Sequence, residues 1–169
     1  MALHLLSIVL GESLKRVKTI YFEHEDTFEE EIEFIEKCRE EYQLNLFKTR
    51  KNFKEGLKQV LSEFPSLKAV VMGVRKSDPY SQSLSFFTPT DLSWPQMMRV
   101  NPVLEWDYCE IWEYLKVLKV SFNPLYNLGY TSIGKKSNTV RNESLKQANG
   151  DYLPAWMLKN EICERDSRI

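Results

Sequence analysis

The chain has 169 residues, 43% hydrophobic and 28% charged, with 23 Lys and Arg against 24 Asp and Glu for a net charge of −1. That length buries a sizeable core without a metal or disulfide staple. The balanced charge excludes a domain that works by gripping a nucleic-acid backbone, which carries a clear basic excess. Three cysteines, Cys38, Cys109 and Cys163, cannot all pair and none of their spacings suits zinc, so the expected setting is reducing and cytoplasmic. The apolar opening, residues 1–10, is broken by His4 and stops at Gly11. It is too short for a membrane span and lacks the basic start and cleavage site of a secretory signal, so it reads as part of the fold.

In chain order, Leu3, Leu5, Leu6, Val9 and Leu10 suit one helical face, with Gly11 as the stop. Residues 17–22, VKTIYF, are β-branched and aromatic and predict a short buried strand. Thr27, with Glu30 as capping-box partner, predicts a helix to about Tyr42 whose apolar positions are Phe28, Ile32, Phe34 and Ile35. A second strand at 43–49, a second helix at 52–63 and a third strand at 67–73 follow. Alternating helices and strands with short connections imply an α/β fold, a parallel twisted sheet with helices on both faces. Ligands of such sheets sit beyond the carboxyl ends of the strands, here Phe22, Thr49 and Gly73 onward.

From 74 to 98 the chain is polar, rich in Ser, Thr and Pro, and without a sustained period; a loop of that length in a compact domain is usually functional. RVNPVLEW reads as a short extended piece, Asp107 caps a helix through Lys119, and the tail from Asn123 is loop-rich until Pro154, which stands where a first helical turn begins. No repeat, low-complexity tract or linker interrupts the sequence, so one domain over 1–169 is expected.

Several segments invite a chemical reading. The acidic stretch 23–33 holds one histidine, His24, and no regular ligand spacing; it reads as a solvated helix face that complements the helix dipole. GYTSIGKKSNT, 129–139, approaches a Walker A loop, yet Lys136 stands where a Ser or Thr would hold magnesium and no strand precedes it. Such a loop can still meet phosphate through backbone N–H groups and Lys135 or Lys136. Cys163 has no histidine after His24 to activate it and reads as inert. GVRKSDPY and TPTDLSWPQMMRVNP are different, because they gather Arg75, Asp78, Asp91, Trp94 and Arg99 at a strand's carboxyl end. A surface loop with ordinary salt bridges is the plain alternative. The residue types favour a ligand: a guanidinium fork matches phosphate oxygens, carboxylates accept from ring or ribose donors, and tryptophan supplies a flat apolar wall. Together they suit a nucleotide or another phosphorylated aromatic molecule.

At these residues the sequence resembles a known family. GVRKSDPY, TDLSWPQMMRVNPVLEWDYCEIWEYL, LGYTSIG with NTVRNESL, and YLPAWMLKNEICERDSR, preceded by IYFEHEDTFEEEIEF, resemble in order the blocks of eukaryotic, fungal-type FAD synthases of the phosphoadenylylsulfate-reductase-like family. The resemblance covers nearly the whole chain. It implies an adenine-nucleotide α-hydrolase-like (Rossmann-like) fold and an FMN adenylyltransferase that converts FMN and ATP, with Mg2+, to FAD and pyrophosphate. It further implies Asp91, Ser93, Trp94 and Arg99 at the flavin and phosphates, Arg165 and Arg168 over the flavin, and Phe22, Gly73 and Arg75 at the nucleotide. Arg75, Asp78 and Arg99 are the implied catalytic set; no metal ligands are assigned. Because the FMN phosphate is already an anion, attack on the α-phosphorus needs no general base, and catalysis reduces to alignment and charge neutralisation. The expected partners are these small molecules, neither nucleic acid nor membrane, and the expected state is a monomer.

The family's first strand and Ser-Gly-Gly-Lys-Asp-type phosphate loop have no counterpart before the helix that begins at Met1. The expectation is therefore an N-terminally shortened enzyme with weak turnover, or a flavin- and nucleotide-binding relative without turnover. A sulfonucleotide reductase shares the fold but needs a carboxyl-terminal Glu-Cys-Gly-x-His-like setting, whereas Cys163 is followed by Glu164 and Arg165.

Overall fold

Strands and helices alternate through the first part of the computed structural model, which describes all residues 1–169. The elements are α1 (Ala2–Leu10), β1 (Lys18–Phe22), α2 (Glu29–Glu41), β2 (Asn45–Thr49), α3 (Phe53–Glu63), β3 (Ala69–Val71), β4 (Phe87–Pro89), β5 (Met98–Val100) and α4 (Tyr108–Val117). Beyond α4 the regular structure is short 3-10 turns. The chain divides into two compact units: Met1–Glu23 with Asn45–Ile111, and His24–Leu44 with Trp112–Ile169. No helix is long and apolar enough to cross a membrane, and all three cysteines are free.

In the first unit β1 and β2 pair in parallel, from Lys18 opposite Asn45 to Phe22 opposite Thr49. A second ladder runs β3-β5-β4, with β3 parallel and β4 antiparallel to β5. The parallel pairs expected from the strand–helix order thus form, but in two ladders, and no ladder joins β1 to β3. β4 lies inside the stretch read as unpatterned. β1 is half-buried along its length instead of buried. The third strand is shorter than 67–73 because its partner β5 is itself three residues long; two flanking bonds, Met98 N–H to the Lys68 carbonyl and Met72 N–H to the Val100 carbonyl, both at 2.9 Å, extend it.

Helix ends in this unit follow local chemistry. α1 stops at Gly11, whose φ of +50° suits glycine. Its expected apolar face buries no residue, and Val9 is 80% exposed. An unexpected 3-10 turn, Gly11–Arg16, instead carries the buried Leu14. Asn52 caps α3 by accepting the Glu55 N–H at 3.0 Å, and Leu57 and Val60 send that helix into the core with Val103 and Leu104. At α4, Asp107 accepts from the Glu110 N–H and Glu110 from the Asp107 N–H, both at 2.8 Å, a reciprocal capping box. This helix ends two residues before Lys119, which takes a positive φ of 52°.

In the second unit α2 begins after Phe28 without a side-chain cap. The box expected from Thr27 and Glu30 does not form: the helix starts one residue later, with Phe28 at the cap position, and the Thr27 hydroxyl closes the preceding turn by donating to the His24 carbonyl at 2.8 Å. Glu29, Glu30 and Glu31 still sit favourably at the positive end of the helix. Of its apolar positions Phe28 is buried and Ile32 is 47% exposed. The core of this unit is an aromatic cluster in which Trp112 lies 5.3, 5.2 and 5.6 Å from the rings of Phe122, Tyr126 and Trp156. The helix expected from Pro154 appears as two 3-10 turns, Ala155–Met157 and Glu161–Ser167. Buried side chains capture carbonyls an α-helix would need: Asn142 donates to Cys163 and Thr131 to Glu164, both at 2.6 Å.

Candidate functional site

In the first unit the loop between β4 and β5 is tied at its neck. Thr90 N–H donates to the Met97 carbonyl at 2.9 Å, Met97 N–H returns to the Thr90 hydroxyl at 3.0 Å, and that hydroxyl donates to the Pro95 carbonyl at 2.7 Å. Within the loop Trp94 N–H closes on the Asp91 carbonyl at 2.9 Å, and the Gln96 amide donates to the Trp94 carbonyl at 2.8 Å. These backbone groups are satisfied within the loop, while the Asp91 and Ser93 side chains face solvent.

Trp94 is half-buried and stands at the end of an aromatic row. Its ring is 5.8 Å from Phe53, which is 4.9 Å from Phe22 at the carboxyl end of β1, and Lys54 Nζ lies 5.7 Å from the indole. Sequence reasoning named Phe22 and Trp94 and missed Phe53; the signal was its place directly after the Asn52 cap. Gly56 lets α3 approach this row, since an added Cβ would lie 2.5 Å from the Phe22 ring and 3.1 Å from Thr49 Cγ2. Gly56→Ala gains about 1 kcal/mol of helix propensity but overpacks two neighbours at about 1–3 kcal/mol. A lower melting temperature and an altered Phe22 environment in aromatic NMR are expected; a more stable protein would overturn the packing argument.

Arg99, on β5 opposite Thr88 and Val70, donates from Nη2 to the Pro89 carbonyl at 2.9 Å and lies 3.9 Å from the Asp91 carboxylate. Its Nε is buried without a hydrogen-bond partner. Arg75 is placed differently from the expectation of a ligand-facing cation. It is buried, its Nη2 is 3.3 Å from Asp78, and its N–H donates to the same carboxylate at 2.9 Å. The Ser81 hydroxyl closes the turn onto the Asp78 and Lys76 carbonyls. Gly73 is exposed, and a Cβ there would meet only Ala2 at 3.8 Å, so nothing packs closely on it.

The second unit holds Arg165 and Arg168. Arg168 N–H donates to the Arg165 carbonyl at 2.8 Å, and Arg168 pairs in an antiparallel bridge with Thr139. Its Nε donates to the Ser132 hydroxyl at 3.1 Å and its Nη2 to the Ile133 carbonyl. Burial, then the like charge of Arg165, pulls the Arg168 guanidinium below its usual value. Burial raises the Glu31 carboxyl, against the opposing pull of His24 and Arg168. Behind this tail lies a buried polar network that the sequence did not flag: Asn142 donates to the Thr131 hydroxyl at 2.8 Å, and Thr131 N–H to the Ser167 hydroxyl at 3.1 Å.

The basic loop 129–139 is engaged from within. Lys136 N–H donates to the Asp26 carbonyl at 3.0 Å, and Ser137 donates to the Asp26 carboxylate through its N–H and, at 2.5 Å, its hydroxyl. Those N–H groups, expected to be available to phosphate, are taken by the backbone carbonyl and the carboxylate of Asp26 instead. An open cleft of about 760 Å³ is lined by Tyr130, Arg141, Glu143, Tyr152 and Asp166, and includes none of the expected site residues. No three His, Cys, Asp or Glu side chains converge into a group that could hold a metal ion.

This architecture has known relatives. A "Probable FAD synthase" of Schizosaccharomyces pombe is 35% identical over 155 residues, covering 92% of this chain and 58% of that one. The "Flavin adenine dinucleotide synthase" of Saccharomyces cerevisiae is 30% identical, covering 88% of this chain and 50% of its own length. The chain thus spans about half the length of these relatives. The crystal structure of Candida glabrata FMN adenylyltransferase in complex with FMN and the ATP analogue AMPCPP superposes with a TM-score of 0.84 at 26% identity, covering 89% of this chain and 68% of that one. The fold is accordingly Rossmann-like α/β. The sequence profile of the phosphoadenosine phosphosulfate reductase domain matches residues 50–141, more than half of the chain, and the chain belongs to that family.

Proposed function

We propose that this chain transfers the adenylyl group of ATP to the phosphate of FMN, giving FAD and pyrophosphate. The observation that carries the reading is the tied loop that sets Trp94 in a row with Phe53 and Phe22 and places Asp91 beside Arg99. An aromatic wall with a guanidinium at one end suits a ring system bearing a phosphate. The names of the relatives and the ligands of the solved homologue support the same chemistry.

A phosphate oxygen of FMN forms a bond to the α-phosphorus of ATP, the bond from that phosphorus to the β-phosphate oxygen breaks, and pyrophosphate departs. The attacking oxygen carries no proton to remove, so the protein's part is to align the reactants and neutralise charge. Arg99 is the cation for that role, with Asp91, Ser93 and Trp94 at the flavin and Phe22 and Gly73 at the nucleotide. Arg75 and Asp78 act by holding the loop between β3 and β4. Mg2+ enters on the ATP phosphates as part of the substrate, a mode of binding that needs one or two carboxylates at most. In the second unit Arg165 and Arg168 supply guanidinium planes for stacking on the flavin.

Incubating the purified chain with FMN, ATP and Mg2+ and separating flavins by chromatography tests the reading; FAD is the expected product. Flavin binding without FAD would favour a binding role, a second reading that draws on the capture of the Lys136 and Ser137 N–H groups by Asp26. Replacing Arg165 and Arg168 together by lysine is expected to weaken FMN binding about tenfold, the loss of cation–π stacking, with ATP affinity nearly unchanged. Unchanged FMN affinity in that double variant would remove the tail from the site.

A further inference from the structure

We infer that Gly134 is a positioning residue that seats the Arg168 guanidinium; the inference rests on the reading above that Arg168 meets the flavin. A Cβ built on Gly134 falls on Nη1 of Arg168, so the guanidinium occupies the space that any other residue at 134 would fill. Gly134 is not among the residues of positive φ, which makes this a requirement for space and not for backbone freedom.

The seat is held from both sides. Gly134 N–H donates to the Thr139 hydroxyl at 3.0 Å, and Thr139 is the bridge partner of Arg168. Two further bonds, Val140 N–H to the Ser167 carbonyl at 2.9 Å and Ile169 N–H to the Asn138 carbonyl at 3.1 Å, zip the same two segments together. This zipper fixes the two backbones, so a side chain added at 134 is met by displacing the guanidinium from its seat. The Ser132 hydroxyl and the Ile133 carbonyl then fix the orientation of the guanidinium. A positive charge beside Arg165 has reason to swing into solvent, and the seat opposes that. An arginine held in one rotamer loses less freedom when a ring docks on it, so the benefit appears as affinity for the ligand.

The test is a double-variant cycle on the full chain with Gly134→Ala, Arg168→Ala and the pair, read by thermal melting and by quenching of FMN fluorescence. Gly134→Ala is expected to lower the melting temperature when Arg168 is present and to cost little when position 168 is alanine, because the clash has gone. Each single variant is expected to weaken FMN binding about three- to tenfold, and the pair no more than either alone. Additive melting shifts would overturn the seat, whatever the flavin does. Coupled melting shifts with FMN affinity unchanged in Arg168→Ala would support the seat and overturn the flavin reading of Arg168. Should Gly134→Ala fail to fold, Ser132→Ala removes the Nε acceptor without adding bulk. It is expected to weaken FMN binding about threefold with Arg168 present and not at all in Arg168→Ala; equal losses in both backgrounds would overturn the seat.

Discussion

Arg99→Ala is expected to slow FAD formation by about two to three orders of magnitude, the usual loss when one preorganised donor to developing phosphate charge is removed. The same change takes one hydrogen bond from the Pro89 carbonyl, a structural cost of about 1 kcal/mol, so most molecules remain folded. The ion pair with Asp91 adds little to that cost, since the carboxylate is 73% exposed and the separation is 3.9 Å. Arg99→Lys separates charge from geometry: it retains the cation but loses the fork, and is expected to recover only part of the rate. Steady-state kinetics beside a melting curve checks both. Full activity per folded molecule in Arg99→Ala would make Arg99 a structural residue and leave Trp94 without a phosphate partner.

The largest effect on stability is expected from Asp78→Ala. It removes the carboxylate from a buried guanidinium and the acceptor from the Arg75 N–H, and breaking such a pair from one side costs about 3 kcal/mol or more. Asp78→Asn keeps an acceptor for the N–H and is expected to fall between. Arg75→Met combined with Asp78→Ala is expected to regain part of the loss, because the buried guanidinium that lost its carboxylate is removed as well. Urea titrations of the four proteins decide the matter. A loss below about 1 kcal/mol in Asp78→Ala would show that the pair does not hold the loop, and would return Arg75 to the position of a ligand-facing cation.

Local chemistry was legible and long-range chemistry was not. VKTIYF, the stretch from Asn52 and the Asp107 cap announced β1, α3 and α4, because each carries its signal within a few residues. β4 was invisible because three residues ending in Pro89 carry no period, and their pairing depends on Met98–Val100. Thr27 and Glu30 misled because the helix starts one residue later than the motif implies, with Phe28 at the cap position. The carboxyl-terminal helix failed because Thr131 and Asn142, 33 and 21 residues from the carbonyls they take, outcompeted the helical bonds. In the candidate site Trp94 and Arg99 were identifiable by residue type. Phe53 and Gly134 matter through what stands next to them, which spacing alone does not reveal.

The division of the chain into units has a consequence for synthesis. The first unit is built from residues before His24 and after Leu44, and the second from the segment between them and everything from Trp112. Neither can be excised as one continuous fragment, and a cut between β1 and β2 severs both. As the chain leaves the ribosome, every residue of the first unit is present once Ile111 has emerged. At that moment α2 still lacks its partners, because Phe28 packs edge-on against Tyr130 at 5.6 Å and Asp26 waits for Ser137. The segment 24–44 therefore waits for its own partners, Tyr130 and Ser137 among them, until the last third of the chain is made. Such an interval of incomplete packing invites chaperones or aggregation.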